Sequence, residues 1–505
     1  MRTVRTASGA RAVQIVHSSR RGSRDIEHIG SAHDDAELEL LKTVARQRMA
    51  AGQGEFGFGL DDHPDVGGPL EITGSQMGHL WDALSRACDV LGFGAAAGGD
   101  EVFRALVLAR IIEPASKAGS LRVLEETGIT PPSYRTVNRR LPVYAKEPWR
   151  RALSAACAAH TELGPATLVL YDCPALYFET DAGDGFREPG FSKERRLEPQ
   201  ITIGLLTDAS GFPLMVHAFE GNRAETKTML PVIEAFMEAH RLPGITVAAG
   251  AGMISGANKK DIERAGLSFI LGTKIPELPY AVKQWQREHP GEDFADGQIF
   301  TQPWPPGPKE DRRDQWIYYQ YRAGRARRAL HGIDQQVAKA EKAVTGQAPV
   351  KRNRFIKLTG AEKSVNRELE ARARTLAGLK GYTTNLAACP GGTPITAGFV
   401  IGSYHQLWRI EKSFRMSKHD LRARPIYHHK RESIDAHLTI VFAALAVSRW
   451  IEHATGWSIS KFIKTTRRYR TVRIRVGNHT ITAADPLPGD LRDVLRQIEQ
   501  AAGAH

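Results

Sequence analysis

An α/β core set among helical segments is the fold class this sequence predicts, and three observations predict it. Over roughly the first 160 residues apolar side chains recur at three- and four-residue spacing, the helical period. From Ala166 that period gives way to continuous apolar runs such as Thr167–Tyr171, the pattern of a buried strand. Beyond these, strands and helices alternate as far as Gly272, the way a core with parallel strands is built. The 505 residues allow about two to four domains. With 42% hydrophobic and 25% charged residues, wholesale disorder, collagen and a coiled-coil rod are excluded.

Taken in order, Asp34–Met49, Ser75–Leu91, Asp100–Ile112 and Ser120–Thr127 read as helices, so residues 1–160 form a mostly helical N-terminal region. Pro131-Pro132-Ser133 precedes a short basic helix, Tyr134–Leu141, containing Arg135, Arg139 and Arg140, and another helix begins near Trp149. Such a pair can make a helix-turn-helix contact with DNA, but any surface helix of a basic protein has this composition, and the plain surface helix is preferred. Thr167–Tyr171, Ile201–Thr207 and Pro213–Phe219 then read as an antiparallel meander, with Asp208–Gly211 as a turn. A helix at Thr226–His240, strand Ile245–Ala249, a helix near Ala257–Ala265 and strand Leu267–Gly272 complete the order β-β-β-α-β-α-β. That order matches a ribonuclease H-like core.

After Lys274 come Pro/Gly/Trp-rich loops and aromatic strand material at Trp316–Tyr321. Two helices follow, one around Leu330–Val344 and one around Val365–Leu379. A structureless loop of about a hundred residues inside one domain is not expected, so 275–395 reads as an α+β insertion. Helices resume at Tyr404–Lys418 and Ser433–His453, the latter the most apolar and expected to be a buried core helix. The catalytic core is thus assigned to 161–274 and 396–455. Residues 456–505 are expected to form a basic hairpin and helix, with Gly477-Asn478 as the hairpin turn.

The chain carries 69 basic and 56 acidic residues, a formal charge of +13 that favours a polyanionic partner, nucleic acid before a membrane. Lys461–Arg475 holds seven basic and no acidic residues, and phosphate binding is expected there because no acid in the run can neutralise it. A solvated basic tail is the alternative. Cys88, Cys157, Cys173 and Cys389 are scattered without a Cys-x2-Cys pair, which fits a reducing cytoplasm. The first twenty residues lack the apolar run of a signal peptide, and the longest wholly apolar stretch, Ile440–Val447, is far short of the ~20 residues a membrane span needs. No membrane association is expected.

Two carboxylates stand out. Asp172 follows the strand Thr167–Tyr171, and a carboxylate at the end of a buried strand needs a hydrogen bond or a cation. A metal ligand and a turn-capping Asp account for it equally well. On one continuous helix, Tyr404, Glu411 and Lys418 at seven-residue spacing share a face, beside an apolar stripe of Leu407, Ile410 and Phe414. The plain alternative is an amphipathic helix with solvated Glu and Lys. His428-His429 and His437 lack a metal-ligand spacing and read as core or surface histidines.

Tyr171–Thr180, Gly190–Lys193 with Pro199–Gly204, Phe219–Thr226, Tyr404–Lys418 and the continuation Leu421–His428 together resemble the DDE transposases of bacterial insertion sequences. Within these, the resemblance is to the group with the helical signature Tyr-x2-Arg-x3-Glu-x6-Lys, and it covers roughly residues 10–455. It implies a ribonuclease H-like core whose acidic triad holds two Mg²⁺ (or Mn²⁺) ions for phosphoryl transfer at the ends of a transposable element. It further implies a homodimer on double-stranded DNA, binding terminal inverted repeats and target, in the bacterial cytoplasm beside the nucleoid. The N-terminal region would serve DNA binding or dimer contacts.

Carried over residue by residue, the resemblance makes Asp172 the first catalytic and metal ligand and Glu411 the third. Tyr404 and Lys418 match the signature's tyrosine and lysine and would contact the DNA backbone. Leu407 stands where the signature has Arg, so Arg409 is the candidate to supply that phosphate contact, with Arg415 beside it. Trp304 or Trp316 would stack on an unpaired base, or else pack in the insertion's own core. Arg467, Arg468 and Arg470 represent the basic run as DNA contacts. The position of the second Asp is Gly250, in Gly250-Ala-Gly-Met253, and no carboxylate lies between Thr246 and Gly256. Loss of a bridging carboxylate predicts severely impaired strand transfer, or a catalytically silent DNA-binding protein such as a repressor.

Overall fold

The computed structural model describes residues 1–6, 9–18, 24–50, 71–161, 163, 167–179, 183–190, 198–242, 244–250, 256–308, 310, 312–349, 353–359, 362–388, 392–424, 426–476 and 479–503. The chain divides into two compact units, one of Met1–Thr161, Leu176–Asp181 and Ser413–His505, the other of Glu162–Ala175 and Ala182–Lys412.

The first unit opens with strands rather than helices. β1 (Arg2–Arg5), β2 (Arg11–Ser18) and β3 (Arg24–Ala32) make an antiparallel sheet, and α1 (Asp35–Ala50) lies on it. Alternation puts Val13 and Ile15 on one face, where they bury against Leu38, Leu41 and Ala45 of the helix. The expectation of a mostly helical region is therefore corrected for its first thirty or so residues. After β4 (Glu71–Gln76) the helices appear as the periodicity predicts: α2 (Gly78–Val90), the single turn α3 (Phe93–Ala96), α4 (Glu101–Ile112), α5 (Lys117–Thr127), α6 (Tyr134–Tyr144) and α7 (Glu147–His160). Side-chain caps fix their starts, Asp100 for α4, Ser116 for α5 and Ser133 for α6. Gly128 ends α5 at φ +86°, and Gln76 packs so close that a Cβ there has no room.

The second unit carries β5 (Leu168–Asp172). After the short strand β6 (Ala175–Tyr177) come β7 (Gln200–Asp208), β8 (Pro213–Glu220), α8 (Met229–His240), β9 (Thr246–Ala249), α9 (Gly256–Arg264) and β10 (Ser268–Thr273). β5, β9 and β10 pair in parallel, whereas β7 pairs antiparallel with β5 and β8. This mixed sheet follows the expected chain order and is compatible with a ribonuclease H-like core. Every residue of Gln200–Thr207 is buried, which is why β7 reads as an unbroken apolar run.

The stretch expected to be an insertion continues the same sheet. It comprises α10 (Tyr280–Glu288), β11 (Ile299–Trp304), β12 (Gln315–Tyr321), α11 (Ala323–Val344), the hairpin β13 (Ile356–Thr359) and β14 (Glu362–Val365), α12 (Arg367–Thr375) and β15 (Leu379–Thr384). The sheet runs β11, β12, β15, β10, β9, β5, β7, with β8 also paired to β7. The second expected helix stops at Thr375, since Leu379 starts a strand that pairs with both β10 and β12. α13 (Ala397–His405), capped by Thr396, packs on β9, β10 and β15 and leads into α14 (Leu407–Arg415).

The remaining elements return to the first unit. α15 (Arg431–Thr455) packs against α2, α4, α6 and α7, and is followed by α16 (Ile459–Thr466), β16 (Thr471–Val476), β17 (His479–Ala484) and α17 (Gly489–Gly503). By length and hydropathy α15 passes for a membrane span, but 89% of its most apolar stretch is buried in the unit, as a core helix requires. The sequence assigns residues 396–455 to the catalytic core, whereas the contacts group Ser413–His505 with the N-terminal helices. β16 and β17 form the expected hairpin, and β4 adds to β16 as a third strand; the turn Gly477-Asn478 lies outside the described residues.

Candidate active site

Parallel pairing of β5 with β9 sets Val169 opposite Val247, Leu170 opposite Ala248 and Tyr171 opposite Ala249. One step further, Asp172 comes level with Gly250 at the carboxyl ends of adjacent strands, where open α/β sheets place their ligands. Asp172 is half-buried, and among the described residues its carboxylate has neither a hydrogen bond nor an ion pair. Among the described residues no turn or helix is capped by Asp172. Around it the strand is dry: Tyr171 is fully buried, and burial pushes the Cys173 thiol up to about 12, with Sγ 3.3 Å from Thr228 Oγ1. A thiol held so firmly protonated is not a nucleophile.

Gly250 has open space beside it. A Cβ added there meets nothing within 4 Å among the described residues, and its φ lies outside the left-handed region. Neither crowding nor backbone geometry demands glycine. Ala251-Gly252-Met253, like Phe191-Ser192-Lys193, lies outside the described residues.

Tyr404–Lys418 is not the single helix expected. The chain breaks at Gln406 between α13 and α14, and Met416–Asp420, which holds Lys418, winds as a π-helical turn. Both interruptions break the uniform α-helical phase on which the seven-residue spacing argument rests. Tyr404 is buried, its ring 5.0 Å from that of Tyr382, while Glu411 is exposed and Lys418 half-buried. A solvent-side contact of Tyr404 with a DNA backbone is corrected by this burial. The stripe persists in Ile410 and Phe414, with Leu407 half-buried.

Lys380, which the sequence reading does not single out, lies with its Nζ 4.4 Å from the Tyr404 ring centroid and 5.6 Å from that of Tyr382. Burial and the nearby Arg325 pull its pKa below the usual lysine range, and Glu411 acts against them. Beside it, Tyr382 Oη is 3.2 Å from His405 Nε2, and burial lowers that histidine's pKa. No pattern within residues 404–418 reveals this cluster, because half of it comes from β15.

The basic residues separate by burial. Arg409 donates from Nη1 to Ala209 O at 2.9 Å, which fastens α14 to the β7–β8 turn. Gly211 in that turn lies so near the Arg409 backbone that a Cβ would stand 2.8 Å from its carbonyl oxygen. Arg415 is exposed. Arg467 is buried and donates to Glu113 at 3.0 Å; Glu113 also accepts from Arg122 at 2.5 Å. Burial pushes the Glu113 carboxyl up, yet Arg122 and Arg467 together hold it below its usual range. Arg470 is tied to Ser75 Oγ at 2.6 Å. These two are fold residues in place of the expected DNA contacts, since acids and carbonyls far away in sequence neutralise a run that carries none of its own. Arg468 is exposed, 3.6 Å from Asp34.

Trp304 ends the edge strand β11, 46% exposed, and lines a cavity of about 880 Å³ with Lys259, Lys260, Lys274 and Tyr319. Trp316, half-buried, belongs to the opposite face of β12 from Gln315, Ile317 and Tyr319, so the two tryptophans are separated. His437 is buried with Nε2 3.1 Å from Ala423 O, a core histidine as expected.

Among the described residues no three carboxylate, imidazole or thiolate side chains converge as a metal cluster. At the strand ends Asp172 faces a glycine, and the exposed Glu411 has a lysine in its field. That donor set does not fit two divalent ions.

A family model described as the transposase DDE domain matches residues 178–447, more than half of the chain. The span includes Gly250 and Glu411 and begins six residues after Asp172. No curated protein matches. Among solved structures the chain is similar to a cryo-EM structure of a piggyBac transposase synaptic complex with hairpin DNA. The identity is 10% over 86% of this chain and 77% of that one, with a TM-score of 0.37.

Proposed function

The chain belongs to the transposase DDE domain family, and from that premise we propose that it is a DNA-binding transposase whose cleavage and strand transfer are disabled at position 250. In this reading it acts as a homodimer on terminal inverted repeats and target DNA, in the cytoplasm beside the nucleoid. Asp172 and Glu411 are what remains of the acidic site. The observation behind the impairment is the strand register: Asp172 stands level with a glycine that has open space where a carboxylate fits. Divalent ions supply electrophilic assistance to phosphoryl transfer when such a site is complete; here the retained carboxylates are left to orient water or a hydroxyl. Arg415, Arg468 and Lys418 remain as candidate backbone contacts, and Trp304 as a stacking platform at the mouth of its cavity.

The same glycine favours a second reading, a silent binder that represses its own element. The two readings differ in metal-dependent nicking of duplex carrying the element's end. With Mg²⁺ or Mn²⁺, nicking by the Gly250→Asp variant but not by the unaltered chain supports the disabled transposase. Binding without nicking by either protein supports the repressor. Nicking by the unaltered chain as fast as by the variant refutes the assignment of position 250.

A further inference from the structure

From the helix pair α5 and α6 we infer a duplex-DNA reading head, in which α6 enters the major groove with Tyr134, Arg135 and Arg139 leading. This rests on the proposed DNA-binding function and assigns it a surface. Gly128, with its left-handed φ, turns the chain out of α5, and Pro131-Pro132 bring it to Ser133, whose Oγ accepts from Thr136 N at 3.1 Å and starts α6. Two helices joined by a Gly-containing connection of six residues, 128–133, the second with one exposed side, form a unit able to present a helix to a groove.

α6 is held from behind. Val137, Leu141 and Tyr144 are buried along one side, and the helix packs on α15. Arg140, next to that side, donates from Nε to Asp100 Oδ2 at 2.8 Å. Asp100 caps α4 through Val102 N and Phe103 N and also accepts from Tyr144 Oη at 3.2 Å. The Tyr144 ring lies 5.0 Å from Phe103 and 5.1 Å from Trp149. One arginine of α6 is therefore an anchor rather than a contact, which its sequence neighbours do not disclose.

The side that carries Arg135 and Arg139 is the exposed one. At 100° per residue, Tyr134, Asn138, Arg135 and Arg139 span an arc of about 140° that starts beside Leu141 and carries Arg135 and Arg139 to the side away from the packed residues. Tyr134, Arg135 and Arg139 are exposed, and among the described residues neither arginine has an ion pair. No acidic residue occurs from Tyr134 to Tyr144. Lys117 of α5 reaches across, Nζ 2.9 Å from Asn138 Oδ1 and 5.8 Å from the Tyr134 ring centroid, adding a third cation to the same side. At about 16 Å the helix is short, slim and basic, which suits a groove about 12 Å wide walled by phosphates. Apart from Tyr134, the outward arc has no large apolar side chain with which to enter a membrane.

The test is selection from a random-sequence duplex library by the full-length chain, repeated with Arg135→Ala/Arg139→Ala and with Arg135→Lys/Arg139→Lys. Both variants alter exposed side chains only, and an unchanged melting temperature checks their folding. The expected result is a motif bound by the unaltered chain, bound about 10- to 100-fold more weakly by the alanine variant. That variant should also lose about two from the salt slope. The lysine variant should keep the slope and weaken the base preference, because an ammonium lacks the rigid planar fork with which a guanidinium matches guanine O6 and N7. A motif selected with equal affinity and slope by all three proteins overturns the reading head and leaves DNA binding standing. Selection of no duplex by the unaltered chain overturns both.

Discussion

Placing a carboxylate at position 250 has a thermodynamic signature that can be read without any DNA. Gly250→Asp puts the new side chain where a Cβ meets nothing within 4 Å, so no packing strain opposes it. Restricting the unfolded chain contributes about 0.4–1 kcal/mol in its favour. Against this stands Asp172, level with position 250 on the neighbouring strand, about 4.8 Å away at the backbone. Two carboxylates some 6 Å apart repel by about 0.7–3 kcal/mol for effective dielectric constants from bulk water down to ~20. In chelator the variant should therefore melt at or below the unaltered chain. Magnesium reverses the sign: at roughly ten times its dissociation constant it contributes about 1.4 kcal/mol, or ~3–5 °C for a unit of this size. The assay is thermal melting of both proteins in EDTA and in saturating Mg²⁺. The unaltered chain should shift by less than about 1 °C, and Asp172→Asn should abolish the variant's shift. Equal stabilisation of both proteins by Mg²⁺ would mean that other ligands complete the site. No shift in either would mean that the strand register does not bring the two side chains together.

Three further outcomes are expected. Arg467→Ala leaves the buried Glu113 with Arg122 alone and should cost about 3–5 kcal/mol, whereas Arg468→Ala, exposed, should cost under ~1 kcal/mol; chemical denaturation compares them. Burial, then Arg110 and His428, hold His437 down to about 3 in the fold against 6.5 unfolded. The stability from its neutral form is present above pH 6.5 and should fall by about 1.4 kcal/mol per pH unit as pH drops towards 3; melting across that range, flattened by His437→Gln, is the check. Trp304→Ala should leave the melting temperature unchanged and weaken binding of DNA ends with an unpaired base by about 1–3 kcal/mol, read by fluorescence anisotropy.

How much of this is legible in one sequence depends on the reach of the interaction. The core strands read correctly because β7 and β9 are buried along nearly their whole length and β5 through its middle, and burial leaves mostly apolar runs. The sequence singles out Asp172 and Gly250 separately, whereas their standing level on adjacent strands is a property of pairing across some eighty residues. Tyr404 was misplaced because the turn at Gln406 carries neither Gly nor Pro to announce it. Arg467 and Arg470 were misassigned because a local run of cations says nothing of Glu113, 354 residues earlier in the chain, or of Ser75. The first sheet was missed for a different reason: Arg11–Ser18 alternates only weakly, with Ala12 and Val16 interrupting the polar face.

Both ends of the polypeptide build the first unit, and that sets an order on its birth. β4 cannot gain its partner β16 until about four hundred further residues have left the ribosome, as the Thr73 bond to Arg473 measures. At elongation rates of roughly 5–20 residues per second, that wait is about 20–80 s, during which the whole of the second unit emerges. The N-terminal helices therefore spend the synthesis of their own protein half-assembled, still lacking α15. A message cut short near its 3′ end yields a chain whose second unit is intact and whose first unit never closes.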